Sequence, residues 1–225
     1  MIVAMATPFR GWSDEVFTFY EQLEADNTRT FWTEHRATYD DEVRAPFDAL
    51  GELVADEFGP LKVFRPNRDV RFSKDKSPYK TRCYGVAEGE GGESYYVEIS
   101  ARGLVVGTGY WMMAKDQLAR YRQAVDDPGT GEQLVAVVDD LRSSGLRIED
   151  QGLKTAPRGY ARDHPRVELL RAKSLAALRS WEPARWIGTK AAATRITDVW
   201  RAGAPMNGWL AANVGPSTEP PSDRW

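Results

Sequence analysis

Apolar residues recur at helical spacing through the first quarter of the chain. After Ser13, a residue type that favours helix N-caps, they return every three or four positions and predict a first helix that ends at Asp26. The same spacing predicts a second helix over residues 30–44 and a third helix that has Pro46 in its first turn. Gly59 and the proline that follows it end this helical region.

The middle of the chain changes to short runs of β-branched and aromatic residues that are separated by turn residues. Ala101-Arg102-Gly103, between two such runs, is a hairpin signal. These runs therefore predict an antiparallel sheet. The expected strands are residues 62–65, 69–73, 81–88, 94–100 and 104–110.

Helical spacing returns in the second half of the chain. The expected helices are residues 116–124, 131–143, 166–171 and 189–201. A strand is expected at residues 146–150, and residues 174–179 fit a strand or a helix. Helices, then consecutive strands, then helices is an α+β order, with a central antiparallel sheet packed with N-terminal and C-terminal helices. We expect one domain over residues 1–215 and a loose tail over residues 216–225.

Composition narrows the class of protein. The chain has 225 residues, of which 42% are hydrophobic and 28% charged, as in folded globular domains. No apolar run approaches the roughly 18 residues of a membrane span. The single cysteine, Cys83, cannot form an internal disulfide, and the first ten residues lack the features of a signal peptide. We therefore expect a cytoplasmic protein without a membrane partner, and the oligomeric state stays open.

Charge is distributed unevenly along the chain, although the net charge is only −3. Residues 1–61 carry a net charge of −9, whereas residues 62–82 and residues 158–201 each carry +6. A positive patch on a negative body attracts phosphate or carboxylate groups, whereas a protein that coats duplex DNA needs a broad basic face. The expected partner is an anionic small molecule or a short single-stranded nucleic acid. In the alternative interpretation, the basic segments pair with the acidic helices and form no patch for a ligand.

The first basic segment holds the densest group of candidate binding residues, because cations and hydroxyls alternate from Arg65 to Thr81. Arginine offers a planar fork to phosphate or carboxylate, and lysine a compact point charge. With two residues of the second helix, these side chains form the predicted ligand site. Its residues are Arg36, Tyr39, Arg68, Arg71, Ser73, Lys74, Lys76, Tyr79 and Lys80. The alternative is a hydrogen-bonded turn that docks this stretch onto the helices.

His35 and Asp69 are the candidate bases if the protein is an enzyme. Beside Arg68, Arg71 and Lys74 as electrostatic clamps, either base suits a metal-independent hydrolase or transferase on a phosphoryl or acyl substrate. His35 equally fits a helix-face residue with one hydrogen bond.

Two histidines and one cysteine without ligand spacing predict no metal site. The alternative is a carboxylate-only Mg²⁺ site, for which Asp69 and Asp75 would suffice with a phosphate ligand. The absence of phosphate-binding glycine motifs predicts no cofactor.

Four motifs along the chain form a recognisable set. They are Phe31-Trp32-x-x-His35-Arg36-x-x-Tyr39, the run from Arg68 to Thr81, Tyr95-Tyr96-Val97 and Gly109-Tyr110-Trp111. From Gly11 to Val214 the chain resembles the bacterial family called domain of unknown function 2461. The resemblance implies no reaction, cofactor or catalytic residue. Function therefore stays open between an anion-binding module, a small enzyme, and a structural or interaction protein.

Overall fold

The computed structural model describes residues 8–149 and 151–219. Its helices are α1 (Glu15–Ala25), α2 (Arg29–Glu34), α3 (Arg36–Thr38), α4 (Ala45–Phe58), α5 (Lys115–Asp126), α6 (Pro128–Ser143), α7 (Val167–Arg171), α8 (Ala191–Ala202) and α9 (Ala204–Asn213). Its strands are β1 (Lys62–Val63), β2 (Arg82–Glu88), β3 (Ser94–Ser100), β4 (Gly103–Tyr110), β5 (Arg147–Glu149) and β6 (Leu175–Trp181). The described strands form one antiparallel sheet in the order β1-β2-β3-β4-β6-β5. The predicted α+β class is confirmed.

The predicted second helix is interrupted. Helix α2 ends at Glu34, and a π-helical segment, Tyr39–Arg44, runs directly into α4. Tyr39 and Val43 of this segment are buried in the core. A pattern that assumes 3.6 residues per turn cannot register such a widened turn, which is why residues 30–44 were predicted as one regular helix.

The predicted N-cap at Ser13 is wrong. The residue before α1 is Asp14, whose side chain makes no capping hydrogen bond. The Ser13 hydroxyl instead donates to the Glu42 carboxylate at 2.5 Å. The hydroxyl that the local pattern assigned to helix capping is therefore bonded to a residue 29 positions away in the sequence.

Two strand predictions also need correction. The strand expected at residues 62–65 is reduced to β1, and residues 69–73 form no strand. Asp69 and Asp75 each accept a hydrogen bond from the backbone N–H two residues later. Such local bonds turn the chain and compete with a sheet ladder.

The hairpin and the remaining elements follow the sequence pattern more closely. Strands β3 and β4 lie where the alternation placed them. The ambiguous run at residues 174–179 lies in a strand, β6. Helix α9 was not predicted, because Pro205 and Gly208 are residues that usually break helices. Pro205 occupies the first turn, where its missing N–H costs no hydrogen bond.

Contacts divide the described chain into two compact units. The first unit comprises described residues within 1–87, 96–106 and 180–198. Its core is rich in aromatic side chains from α1, α2 and α4. Trp12 is fully buried and meets the Phe47 ring edge-on, with 5.0 Å between ring centroids.

The second unit comprises described residues within 88–95, 107–179 and 199–225. Buried leucines of α6 and α7 build its core together with Tyr121. Within this core, the buried Asn207 side chain donates to the Thr108 hydroxyl at 2.8 Å. Gly109 has a φ of +136°, and a Cβ there would lie 2.3 Å from the Leu175 carbonyl oxygen.

The end of the second unit is held by hydrogen bonds to α5. Arg120 donates to the Pro216 carbonyl at 2.9 Å, and Asp116 accepts from the Ser217 hydroxyl at 2.8 Å and from the Thr218 N–H at 2.9 Å. Pro216, Ser217 and Thr218 of the segment expected as a loose tail therefore make hydrogen bonds to α5. Residues 220–225 of that tail, and Asp150 of the predicted strand at 146–150, lie outside the described residues.

Candidate functional site

The predicted binding residues of the first basic segment lie on a protruding connection between β1 and β2, here called the basic loop (residues 64–81). Its stem is a short antiparallel pairing around a bridge between Asn67 and Tyr79. Arg68 donates its N–H to the Pro78 carbonyl at 2.9 Å, and Lys80 donates to that of Pro66 at 2.8 Å. These bonds define a stem and leave residues 69–77 as the tip.

The stem is anchored to the helices of the first unit through Asn27. The side-chain amide of Asn27 donates to the Tyr79 carbonyl at 3.0 Å and accepts from the Tyr79 N–H at 3.1 Å. The Tyr79 ring stacks on Trp32, with 4.2 Å between ring centroids. One polar and one aromatic contact therefore fix where the basic loop leaves the fold.

Asp75 organises one side of the tip. Its carboxylate accepts from the N–H and hydroxyl of Ser77 at 2.9 and 2.6 Å, and forms an ion pair with Arg68. Hydrogen bonds from Ser77 and the guanidinium of Arg68 hold the pKa of Asp75 well below its usual range. The charged carboxylate is therefore part of the folded loop.

Asp69 organises the other side of the tip. The Arg71 guanidinium donates to both Asp69 oxygens, at 3.0 and 2.7 Å, and the Arg71 N–H donates to the same carboxylate at 3.2 Å. These hydrogen bonds lower the pKa of Asp69 to about 2. Lys76 closes the turn by donating to the Val70 carbonyl at 2.9 Å.

The tip presents an aromatic ring and free positive charge to solvent. Phe72 is 96% exposed, and the Arg71 side chain is 77% exposed despite its contact with Asp69. Lys74 is exposed and has no ion-pair partner among the described residues. Ser73 is half-buried, and its N–H donates to the Val70 carbonyl at 3.3 Å.

Cations and aromatic rings alternate along the stem. The rings of Phe64 and Tyr84 stack with 4.6 Å between centroids. The Lys80 ammonium lies 4.8 Å from the Tyr84 centroid and donates to the Arg65 carbonyl at 2.9 Å. Lys62 lies 5.3 Å from the Phe64 centroid. Positive charge therefore continues from the tip to the edge of the sheet.

Tyr39 does not join these exposed groups. It is 3% exposed, and its hydroxyl lies 4.0 Å from the Cys83 sulfur. Burial raises the pKa of Tyr39 and raises that of the Cys83 thiol to about 12. Tyr79 is also buried, so its contribution to the basic loop is the backbone anchor and the stacked ring.

His35 and Arg36 have partners within the helical region. The His35 Nδ1 lies 2.9 Å from the Phe31 carbonyl oxygen, and its ring stacks on Phe31 at 4.0 Å. Arg36 pairs with Asp40 at 2.8 Å on the helix surface. The structure therefore assigns both residues local contacts, and neither touches a residue of the basic loop through a hydrogen bond or ion pair that we observe in the described chain.

Two surface hollows lie elsewhere. One, of about 370 Å³, is lined in the first unit by Phe9, Leu53 and Lys190 among others. The other, of about 230 Å³, is lined in the second unit by Trp111 and Ser174 among others. Neither of these hollows is lined by a predicted site residue. Among the described residues, no group of three or more His, Cys, Asp or Glu side chains could hold a metal ion.

No described helix is long and apolar enough to cross a membrane. The candidate residues taken from the sequence do not include Phe72, which the structure leaves almost fully exposed. The alternation of residues 69–73 assigned its ring to one face of a strand, and only its isolation within a polar run signals another role.

A family model described as conserved hypothetical protein (DUF2461) matches residues 15–209. No curated protein and no solved structure matches the chain. The family model covers most of the chain, including the basic loop and the motifs that carried the resemblance.

Proposed function

The chain belongs to the DUF2461 family of conserved hypothetical proteins, and from this premise we propose that it binds an anionic ligand through the basic loop. The ligand carries phosphate or carboxylate groups, as a phosphorylated small molecule or a short single-stranded nucleic acid does. Binding takes place at the tip and along the cations of the stem.

The observation that carries the proposal is how the charges of the loop are arranged. Its two carboxylates, Asp69 and Asp75, are both engaged within the tip by Arg71 and Arg68. Lys74 points its charge outward without an ion-pair partner in the described chain. The carboxylates therefore shape the loop. Residues 62–82 carry a net charge of +6, of which Arg82 is paired with Glu98 of β3, and the remaining positive charge attracts anions.

Preorganisation supports the same function. Hydrogen bonds from Lys76 and Ser77 within the tip, and the two hydrogen bonds between Asn27 and Tyr79, brace the loop. A loop that is already ordered loses less conformational entropy when it binds. Arg71 is held as a rigid fork, and an oxyanion can approach the exposed part of its guanidinium.

The hydrolase or transferase alternative requires Asp69 or His35 to accept a proton. The contact with Arg71 lowers the pKa of Asp69 to about 2, which makes this carboxylate a weak base near neutral pH. His35 has one ring nitrogen at the Phe31 carbonyl. Binding without turnover is therefore the function that we propose.

The test is calorimetric titration with pyrophosphate, citrate, ATP and a short oligothymidylate, at low and high salt. We expect wild-type protein to bind at least one probe, with affinity that falls as salt rises. Lys74→Glu abolishes that binding, because it reverses an exposed charge that has no ion-pair partner in the described chain. Lys154→Glu, a matched reversal at an exposed lysine of the second unit, leaves it unchanged.

Two results contradict the proposal. In one, no probe binds the folded wild-type protein at low salt. In the other, Lys74→Glu binds as tightly as the wild type and as Lys154→Glu, which assigns anion binding to another part of the molecule.

A further inference from the structure

Phe72 is the most exposed large apolar side chain of the described residues. It is 96% exposed, compared with 60% for Leu53 and 61% for Met112. Phenylalanine is among the residue types that are most often buried. Because almost none of the ring surface packs against the rest of the protein, a role in the hydrophobic core does not explain a phenylalanine at this position.

The ring is held away from the protein by the backbone beneath it. The residue before it, Arg71, is fixed on Asp69, and the residue after it donates its N–H to the Val70 carbonyl. Lys76 donates to the same carbonyl. These bonds define the turn on both sides of Phe72 and keep the ring in solvent instead of against the core.

Positive charge surrounds this ring and continues away from it. The Arg71 guanidinium lies 6.0 Å from the Phe72 centroid, and Lys74 is two residues further along. Behind the bridge between Asn67 and Tyr79, Lys80 lies on the stem and Lys62 lies on the adjoining strand β1. A matching ligand therefore has a flat apolar face beside a negative group, followed by further negative groups.

A single-stranded nucleic acid has this combination. Its unpaired bases expose π-faces that stack on aromatic side chains, and its phosphates repeat along the chain. In a duplex the base faces are already stacked on one another, so an exposed ring gains little without unstacking them. A small phosphorylated molecule would contact only one end of the loop and would not reach the cations of the stem.

The arrangement of the cations argues against a bilayer as the partner. A bilayer surface is flat and would meet only the tip, whereas much of the positive charge lies along the stem behind the bridge. A flexible polyanion can contact the tip and also extend along the cations of the stem. One apolar side chain with a small basic patch is also a weak membrane anchor.

We infer that the anionic ligand of the basic loop is single-stranded nucleic acid, and that one of its bases stacks on Phe72. This inference rests on the proposed function, which it narrows to one class of ligand. Lys74 and the stem cations contact the phosphates, and binding is tolerant of sequence because every base has a π-face.

The test is fluorescence anisotropy with labelled oligothymidylate and oligouridylate of about twelve nucleotides, and with a duplex of equal length. Base stacking on an aromatic ring predicts that Phe72→Ala and Phe72→Leu lower the affinity for single strands about 5- to 150-fold. Phe72→Trp keeps or increases the affinity. Leu53→Ala, which removes another exposed apolar side chain of the same unit, leaves it unchanged.

These variants keep the fold, because Phe72 makes almost no contact with the rest of the chain, and equal melting temperatures check this. Tighter binding of single strands than of the duplex supports the inference. Equal affinity of Phe72→Leu and wild type, together with loss of binding in Lys74→Glu, overturns the stacking role and leaves anion binding intact.

Two further outcomes overturn the nucleic-acid class. Salt-sensitive binding of pyrophosphate or citrate without binding of oligonucleotides leaves the proposed function standing and assigns it a small ligand. Binding to phosphatidylcholine vesicles that contain phosphatidylserine, lost in Phe72→Ala and not matched by oligonucleotides, assigns the loop to a membrane surface. If no probe binds, the proposed function fails with the inference.

Discussion

At the residue scale, the basic loop shows carboxylates in a shaping role. Asp75 receives two hydrogen bonds from Ser77 and one from the guanidinium of Arg68, and Asp69 receives four from Arg71. Without Asp69 and Asp75, the many cations of this segment would repel one another and keep the chain extended. The two carboxylates therefore reduce repulsion where the chain turns, and the cations around them stay exposed.

Asp75 provides a residue-scale prediction. Hydrogen bonds from Ser77 and the charge of Arg68 stabilise its ionised form, so its pKa in the folded protein lies well below the ordinary value of about 3.9. Carbon-detected NMR of the carboxyl group measures this directly. In Arg68→Ala we expect the pKa of Asp75 to rise but to stay below the ordinary value, because the Ser77 bonds remain. An ordinary value in the wild type contradicts this account of the tip.

Cys83 gives a second prediction at this scale. Burial on β2 raises the pKa of its thiol to about 12, so the reactive thiolate is scarce near pH 8. We expect native protein to react with a thiol-specific dye at least tenfold more slowly than protein unfolded in guanidinium. Because the chain has a single cysteine, the dye signal reports this residue alone. Equal rates in the two states would rule out the burial that we describe.

At the element scale, the basic loop depends on a contact between distant parts of the first unit. Asn27, between α1 and α2, holds the stem through paired hydrogen bonds to Tyr79, which is 52 residues away. The Tyr79 ring on Trp32 adds a second contact. The helices thus set the position from which the loop projects, and Tyr39 of the π-helical segment lies in the core.

Asn27→Ala tests this element-scale contact. The substitution leaves a partly buried N–H and carbonyl of Tyr79 without their partners, which costs about 1–3 kcal/mol. We expect urea unfolding to show a loss of that size and faster hydrogen exchange at residues 67–80. Asn213→Ala, which removes one bond to the Trp209 carbonyl within a helical turn, is the control and loses less. Unchanged exchange in the loop of Asn27→Ala would show that other contacts hold it.

At the scale of the whole molecule, acidic residues with several hydrogen bonds connect pH to stability. Asp116 accepts from the Thr218 N–H, the Ser217 hydroxyl and Arg120, and these bonds hold its pKa well below its usual range. Asp69 and Asp75 are lowered in the same direction. Unfolding returns each carboxyl group to an ordinary pKa, so the unfolded chain binds more protons in acid.

The sign of the effect follows from this difference. Stability from these carboxylates is fully present above a pH of about 4, near the pKa of the unfolded state, and is lost as the pH falls toward the lower folded-state values. We expect the free energy of unfolding to decrease below about pH 4 in urea titrations. Asp116→Asn is less stable than wild type near neutral pH, and its stability falls less steeply in acid. Parallel curves for the two proteins would contradict this role of Asp116.

The charge distribution belongs to the same scale. A net charge of −3 conceals a segment of +6, and the acidic helices of the first unit do not consume that charge through ion pairs at the loop tip. Among the described residues, the two ion pairs of the loop, Arg68–Asp75 and Arg71–Asp69, are both internal to it. The sequence predicted the segment and its cations, but it left open whether acidic helices would neutralise them.

Preferences of residues that are close together in the sequence determined much of the fold. Helical spacing, turn residues and the hairpin at Ala101-Arg102-Gly103 depend on neighbours within a few positions, so the α+β order and the strands β3 and β4 follow from the sequence alone. The same holds for the positive charge of residues 62–82, since charge is carried by each residue wherever it lies.

Only the tertiary structure decided which of the candidate residues are presented to solvent. Tyr39 and Tyr79 became core and anchor through contacts with residues more than forty positions away, at Cys83, Asn27 and Trp32. Phe72 stayed exposed because local hydrogen bonds turned its segment away from the sheet. Burial is a property of the assembled surface and not of a residue type, so no local pattern distinguishes a tyrosine that packs from a phenylalanine that stays in solvent.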